Sequence, residues 1–141
     1  MRVENITVGK GRISYVVRLA PDERYTSEDL MERVLEDFPC LSCHTCVNAQ
    51  GPTFAAVMNR TSRAHLLEHM VIDLQVRQFQ ERNRSPLFVG NTQWVDEAAG
   101  VARVQVSYQD DLVALRAFKQ AIAYLDHLTA LTEKSPSAGS C

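Results

Sequence analysis

Long apolar runs are missing from this sequence. No segment approaches the roughly 20 apolar residues that cross a bilayer, so a membrane-spanning chain is not expected. The opening stretch MRVENITVGKGRISYVVRLA is broken by Glu4, Lys10, Arg12 and Arg18, which argues against a secretory leader and for a cytoplasmic protein. An excess of positive charge is missing too: 15 Lys and Arg against 17 Asp and Glu give a net charge of -2, so nucleic acid is not expected as the main partner. Glycine numbers 6 in 141 residues, and nowhere does it form a phosphate-cradling loop. Cysteine is sparse and badly placed for a secreted framework. Of 4 cysteines, Cys40, Cys43 and Cys46 crowd one stretch and Cys141 ends a polar tail, a pattern that suits reduced thiols. There is no internal repeat long enough for a solenoid.

What remains is the composition of an ordinary folded domain, 45% apolar and 23% charged, at a length that supports one core rather than two. Residues 2–8 and 12–20 are rich in Val, Ile and Tyr around Gly9-Lys10-Gly11, which reads as a β-hairpin. Thr26 or Ser27 can cap a helix carrying Leu30, Met31, Val34 and Leu35, with Pro39 as its stop. From Cys40 to Pro52 no periodicity survives, so a loop is expected, and residues 53–59 suit a short helix or strand. Ser62 then caps a long helix running to about Arg82, with Leu66, Leu67, Met70, Val71, Leu74 and Phe79 as its apolar stripe. Thr92 to Val95 and Val101 to Tyr108 read as a second hairpin, the latter by the alternation of Val104, Val106 and Tyr108 with Gln105 and Ser107. Trp94 and Tyr108 are expected on adjacent strands as packing aromatics. A final helix from about Asp110 to Thr132 has one face to bury, and residues 135–141 read as a disordered tail. The order predicts an α+β fold: a two-layer sandwich in which two or three long helices cover a four-stranded, largely antiparallel sheet, one domain over residues 1–134. Apolar excess on the two long helices also permits a homodimer.

The chemistry-bearing pattern lies on the long helix. His65 and His69 are four residues apart, so both imidazoles can reach one ion, and Glu68 stands beside them. This is an H-x-x-E-H arrangement, in which two histidines hold zinc and the carboxylate takes a proton from water. Asp73 continues the same face one turn later, and Asp110 or Asp111 opens the last helix; any of these can complete the site. Cys40, Cys43, His44 and Cys46 also give C-x-x-C-H-x-C, enough soft donors for a separate structural zinc. His127, alone on the last helix, is read as a surface residue.

The stretch from Phe38 to Gln75 resembles the N-terminal domain of cyanophycin synthetases. His44 and Cys46, then Thr61, then His65, Glu68 and His69, then Leu74 and Gln75 follow the order and spacing of that family, and Gly90-Asn91-Thr92 and VQVSYQDD over residues 104–111 extend the likeness. The family's synthetases join this domain to ATP-grasp and Mur-ligase-like domains, which have no counterpart in these 141 residues, so a stand-alone N domain is expected and polymer synthesis is not. The resemblance implies a site for a peptide-like or polyamide chain such as cyanophycin, an aspartate polymer with arginine in isopeptide linkage, or for a protein partner. It further implies a metallopeptidase-like centre of His65, His69 and catalytic Glu68, with His44 and Cys46 lining it, and Asp73 joins that lining by its place on the same helix face. Ser107 departs from the pattern, standing where some members carry Glu before the tyrosine, and Asp111, which aligns with a following acid, is expected to serve as third metal ligand.

Overall fold

A computed structural model describes residues 1–80 and 86–134; the expected tail and the end of the long helix at Arg82 lie outside the described residues. The first hairpin forms as the sequence predicts, β1 (Arg2–Val8) pairing antiparallel with β2 (Arg12–Arg18). Its turn closes at Gly11, whose φ of 79° is a conformation that a side chain would oppose. Ser27 then caps α1 (Glu28–Asp37), its side chain accepting from the N–H of Leu30.

The stretch expected to be a plain loop is more ordered than its pattern suggested. A 3-10 turn over Pro39–Cys43 leads into a small hairpin of β3 (Thr45–Asn48) and β4 (Gly51–Thr53). Asn48 builds that hairpin, because its side-chain oxygen accepts from the amides of Gln50 and Gly51 at 2.8 and 2.9 Å. A second 3-10 turn, Phe54–Ala56, resolves the helix-or-strand ambiguity of the next residues.

α2 (Arg63–Gln80) follows, then β5 (Gly90–Asp96), β6 (Val101–Ser107) and α3 (Asp111–Lys134). The main sheet has the order β1-β2-β6-β5 with every pairing antiparallel, so the fold is the α+β sandwich that the sequence predicts. Ile13, Tyr15 and Val17 of β2 and Ala102, Val104 and Val106 of β6 form the buried side of the sheet, and α2 and α3 pack together over it. Tyr15 stacks on Phe118 of α3 with ring centroids 3.9 Å apart and planes within 5°. Trp94 and Tyr108 both pack against the core, as expected of them, but not on one another. The register sets Trp94 against Ala102, not Tyr108; Trp94 meets Tyr25 at 6.1 Å instead, while the Tyr108 hydroxyl donates to Gly9 O. No helix among the described residues is long and apolar enough to cross a membrane.

Candidate metal centre

α2 starts where Ser62 Oγ accepts from the amide of His65 at 3.0 Å, which fixes the first histidine in the first helical turn. His69 comes one turn later on the same side, the two ring centroids 5.0 Å apart. Phe54 lies nearly flat on His69, at 4.2 Å and 25°, and edge-on to His65 at 5.1 Å, so it walls off the apolar side of the pair.

Each ring has one nitrogen held from outside. Thr61 Oγ1 lies 2.9 Å from Nδ1 of His65, and His44 Nδ1 lies 3.1 Å from Nδ1 of His69. The other nitrogen of His65, Nε2, faces Cys46 Sγ at 3.4 Å, whereas Nε2 of His69 is buried without any hydrogen-bond partner. One donor atom from each of Cys46, His65 and His69 lies within 4.8 Å of the other two, so these three residues can hold a metal ion. An orphaned imidazole nitrogen beside a second imidazole and a thiol fits a borderline-soft divalent ion such as zinc, and the partners on the far nitrogens are what orient histidine ligands.

Burial sets the charge state of this cluster. It lowers the pKa of His65, and it takes that of His69 down to about 3, helped by the neighbouring His65 and His44, so both rings are neutral and free to donate a lone pair at pH 7. Glu68 moves the other way, up to about 7, because burial penalises its charged form more than the Thr92 hydrogen bond and His44 favour it. Its Oε1 accepts from the Thr92 hydroxyl at 2.7 Å and its Oε2 lies 3.8 Å from Nε2 of His69. With His69 neutral, that last contact is not an ion pair. Gly90 on β5 makes room for it, since a Cβ there would come within 2.7 Å of Glu68 Cγ.

His65, Glu68, His69 and Cys46 line one cleft of about 860 Å³. His44 reaches the site through His69, and its Nε2 stands 3.6 Å from the buried carboxylate of Asp73. Asp73 therefore backs the site rather than entering it; Arg77 pairs with it, Nε to Oδ2 at 2.9 Å, although the N–H does not point at that oxygen. Asp111, expected as the third ligand, is exposed at the start of α3 and belongs neither to the donor cluster nor to the cleft wall. A thiol on β3 stands where an acid was expected, because β3 brings Cys46 against His65 in the first turn of α2. The alternative zinc knuckle does not form either: Cys40 and Cys43 are exposed, and Cys46 and His44 turn toward α2. Ser107 accepts from the amide of Val89 and so serves the sheet. Phe54 had no role in the sequence reading; an aromatic in a short apolar segment carries no signal of its contact with a ring.

The cyanophycin synthase-like N-terminal domain family matches residues 16–130, most of the chain, and the protein belongs to that family. Neither the curated proteins nor the solved structures yielded a match.

Proposed function

We propose that this domain is a metal-dependent hydrolase of amide bonds in a peptide-like or polyamide chain. The observation that supports it is the conjunction of three metal donors, from Cys46, His65 and His69, with a carboxyl whose pKa is pushed up to about 7, in one open cleft. A zinc ion held there would supply Lewis-acid polarisation of the scissile carbonyl, with three protein donors leaving a coordination position free. The residues of the chain do the rest. Thr61 and His44 hold the two imidazoles in the orientation that directs Nε2 into the site. Glu68, once ionised, removes a proton from the attacking water and returns it to the departing nitrogen, a task suited to a group whose pKa lies near the working pH. Thr92 holds that carboxyl in place. Family membership supports a polyamide such as cyanophycin as the substrate, its main-chain or isopeptide amides being the bonds at risk.

The test is zinc content of protein purified without chelator, followed by cleavage of aspartate–arginine polymer by wild type and by Glu68→Gln. Stoichiometric zinc with cleavage lost only in the variant supports the reading. Wild-type protein that holds no zinc and cleaves nothing sinks it. The depth of Glu68, only 6% exposed, favours one rival, a groove that binds the chain without cutting it; there Glu68→Gln leaves binding intact and wild type releases no fragments.

A further inference from the structure

β5 is an outer strand of the sheet, and its free edge forms one wall of the cleft that holds Glu68 and the two histidines. The hydrogen bond from Ser107 N to Val89 O, at 2.8 Å, fixes which residues of this strand face β6. In an antiparallel ladder the bonded positions alternate, so Val89, Asn91 and Gln93 bond inward and the N–H and C=O groups of Gly90, Thr92 and Trp94 point out to the open edge. The other side of β6 agrees independently: Tyr108 N donates to Gly11 O, which assigns residues 106, 104 and 102 to β2 and leaves 107, 105 and 103 for β5. Among the described residues, no hydrogen bond reaches the outward main-chain groups of Gly90, Thr92 or Trp94. These same residues touch the chemistry, Thr92 through its bond to Glu68 and Gly90 through its close approach to it.

Edges left open are usually blunted by charge, proline or a bulge. β1, the opposite edge, carries Arg2, Glu4 and a bulge between Val3 and Asn5. Gly90 to Trp94 reads Gly-Asn-Thr-Gln-Trp, with no charge and no proline, and its irregularity comes only after Trp94. We propose that the cleft takes its ligand as an extended main chain that adds to β5 as a further strand, the amides of Gly90, Thr92 and Trp94 supplying the pairing. The ligand is an acidic peptide, since among the described residues Arg60 is the one exposed charged side chain that lines the cleft. Main-chain pairing brings the ligand's backbone amides beside Glu68 and selects for an unfolded segment at least as long as the free edge. This inference rests on the same cleft as the hydrolase reading and adds the form in which a chain enters it, an extended main chain, but binding of this kind needs no catalysis.

Zinc-free full-length protein and an end-capped aspartate decapeptide separate the two. Amide hydrogen exchange followed by NMR should slow by about tenfold or more at Gly90, Thr92 and Trp94 on peptide binding, as expected for gaining a main-chain hydrogen bond, and change little at Asn91 and Gln93. Single N-methylation along the peptide should weaken binding with a period of two. Bound peptide that leaves those three amides unchanged, methylation effects without alternation, or no binding at millimolar peptide would each overturn the proposal. The hydrolase reading stands or falls separately, on zinc content and on Glu68→Gln.

Discussion

α2 and α3 cover the same side of the same sheet, yet they bury different things. The buried positions of α3 are apolar without exception among Val113, Ala114, Ala117, Phe118, Ala121, Leu125 and Leu128, an amphipathic helix with a dry stripe. α2 buries Leu66, Leu67, Met70 and Val71 but also Glu68, His69, Asp73 and Gln75. Burying polar groups costs free energy unless each is paired, and His69 Nε2 and Gln75 Oε1 are not. One helix therefore stabilises the sandwich, and the other gives up stability to hold polar groups in its buried face, the trade-off that the proposed site would require.

The comparison is broken most directly by emptying the dry side. Phe118 is fully buried and stacked on Tyr15, so Phe118→Ala should cost about 3–5 kcal/mol of unfolding free energy. Urea denaturation measures it, and a loss well under that range would mean that α3 is not the stabilising helix.

On the polar side a substitution should act in the opposite sense and with pH. Glu68 keeps its proton up to about pH 7 when folded, whereas an unfolded Glu releases it near its ordinary value, so in between the folded state binds more protons. Stability on this account is full at low pH and falls as pH rises through about 7, by roughly 3 kcal/mol in all. His69 has the reverse sign: its pKa of about 3 in the fold means that stability is lost as pH drops below the usual imidazole range. Glu68→Gln, which keeps an oxygen for Thr92, should therefore make zinc-free protein more stable than wild type at pH 8 and hardly different at pH 4, read from unfolding curves at both values.

How much of this was legible depended on the period of each segment. The helix that carries His65, Glu68 and His69 announced itself through Ser62 and a sustained apolar stripe, and a four-residue step on a helix leaves little freedom about which face the rings share. The two hairpins of the main sheet were equally plain, the first from its Val, Ile and Tyr residues around Gly9-Lys10-Gly11 and the second from the alternation of Val104, Val106 and Tyr108. Cys46 was different. It sits on a four-residue strand, too short to show a period, and its partners lie 19 and 23 positions away; resemblance to the family put it near the site, but only the fold sets its thiol among the three atoms that can hold an ion. The acid expected in its stead, Asp111, follows Tyr108 closely in the sequence, but it stands exposed at the start of α3, outside both the donor cluster and the cleft wall.

A smaller effect separates the donors from their supports. His44 holds His69 by one hydrogen bond and also faces Asp73. His44→Ala should leave the donor set complete but weaken zinc binding by about 10–100-fold, the usual effect of losing an outer partner. Competition with a chromophoric chelator reads this directly. An unchanged affinity would show that His69 keeps its orientation without help, and that Phe54 alone holds the ring.

The smallest expected effect is the most pointed. Asp111 begins α3 in solvent, outside the Cys46, His65 and His69 cluster, so Asp111→Asn should shift unfolding free energy by no more than about 0.5 kcal/mol, the surface range. Zinc affinity in the same chelator assay should be unaltered, whereas Cys46→Ser, which replaces a thiol by a much weaker zinc ligand, should abolish tight binding. The pair of variants decides between an acid and a thiol as the third donor: loss of zinc from the aspartate variant with retention in the serine variant would mean that α3, not the β3–β4 hairpin, completes the site, and the division of labour between the two helices would have to be redrawn.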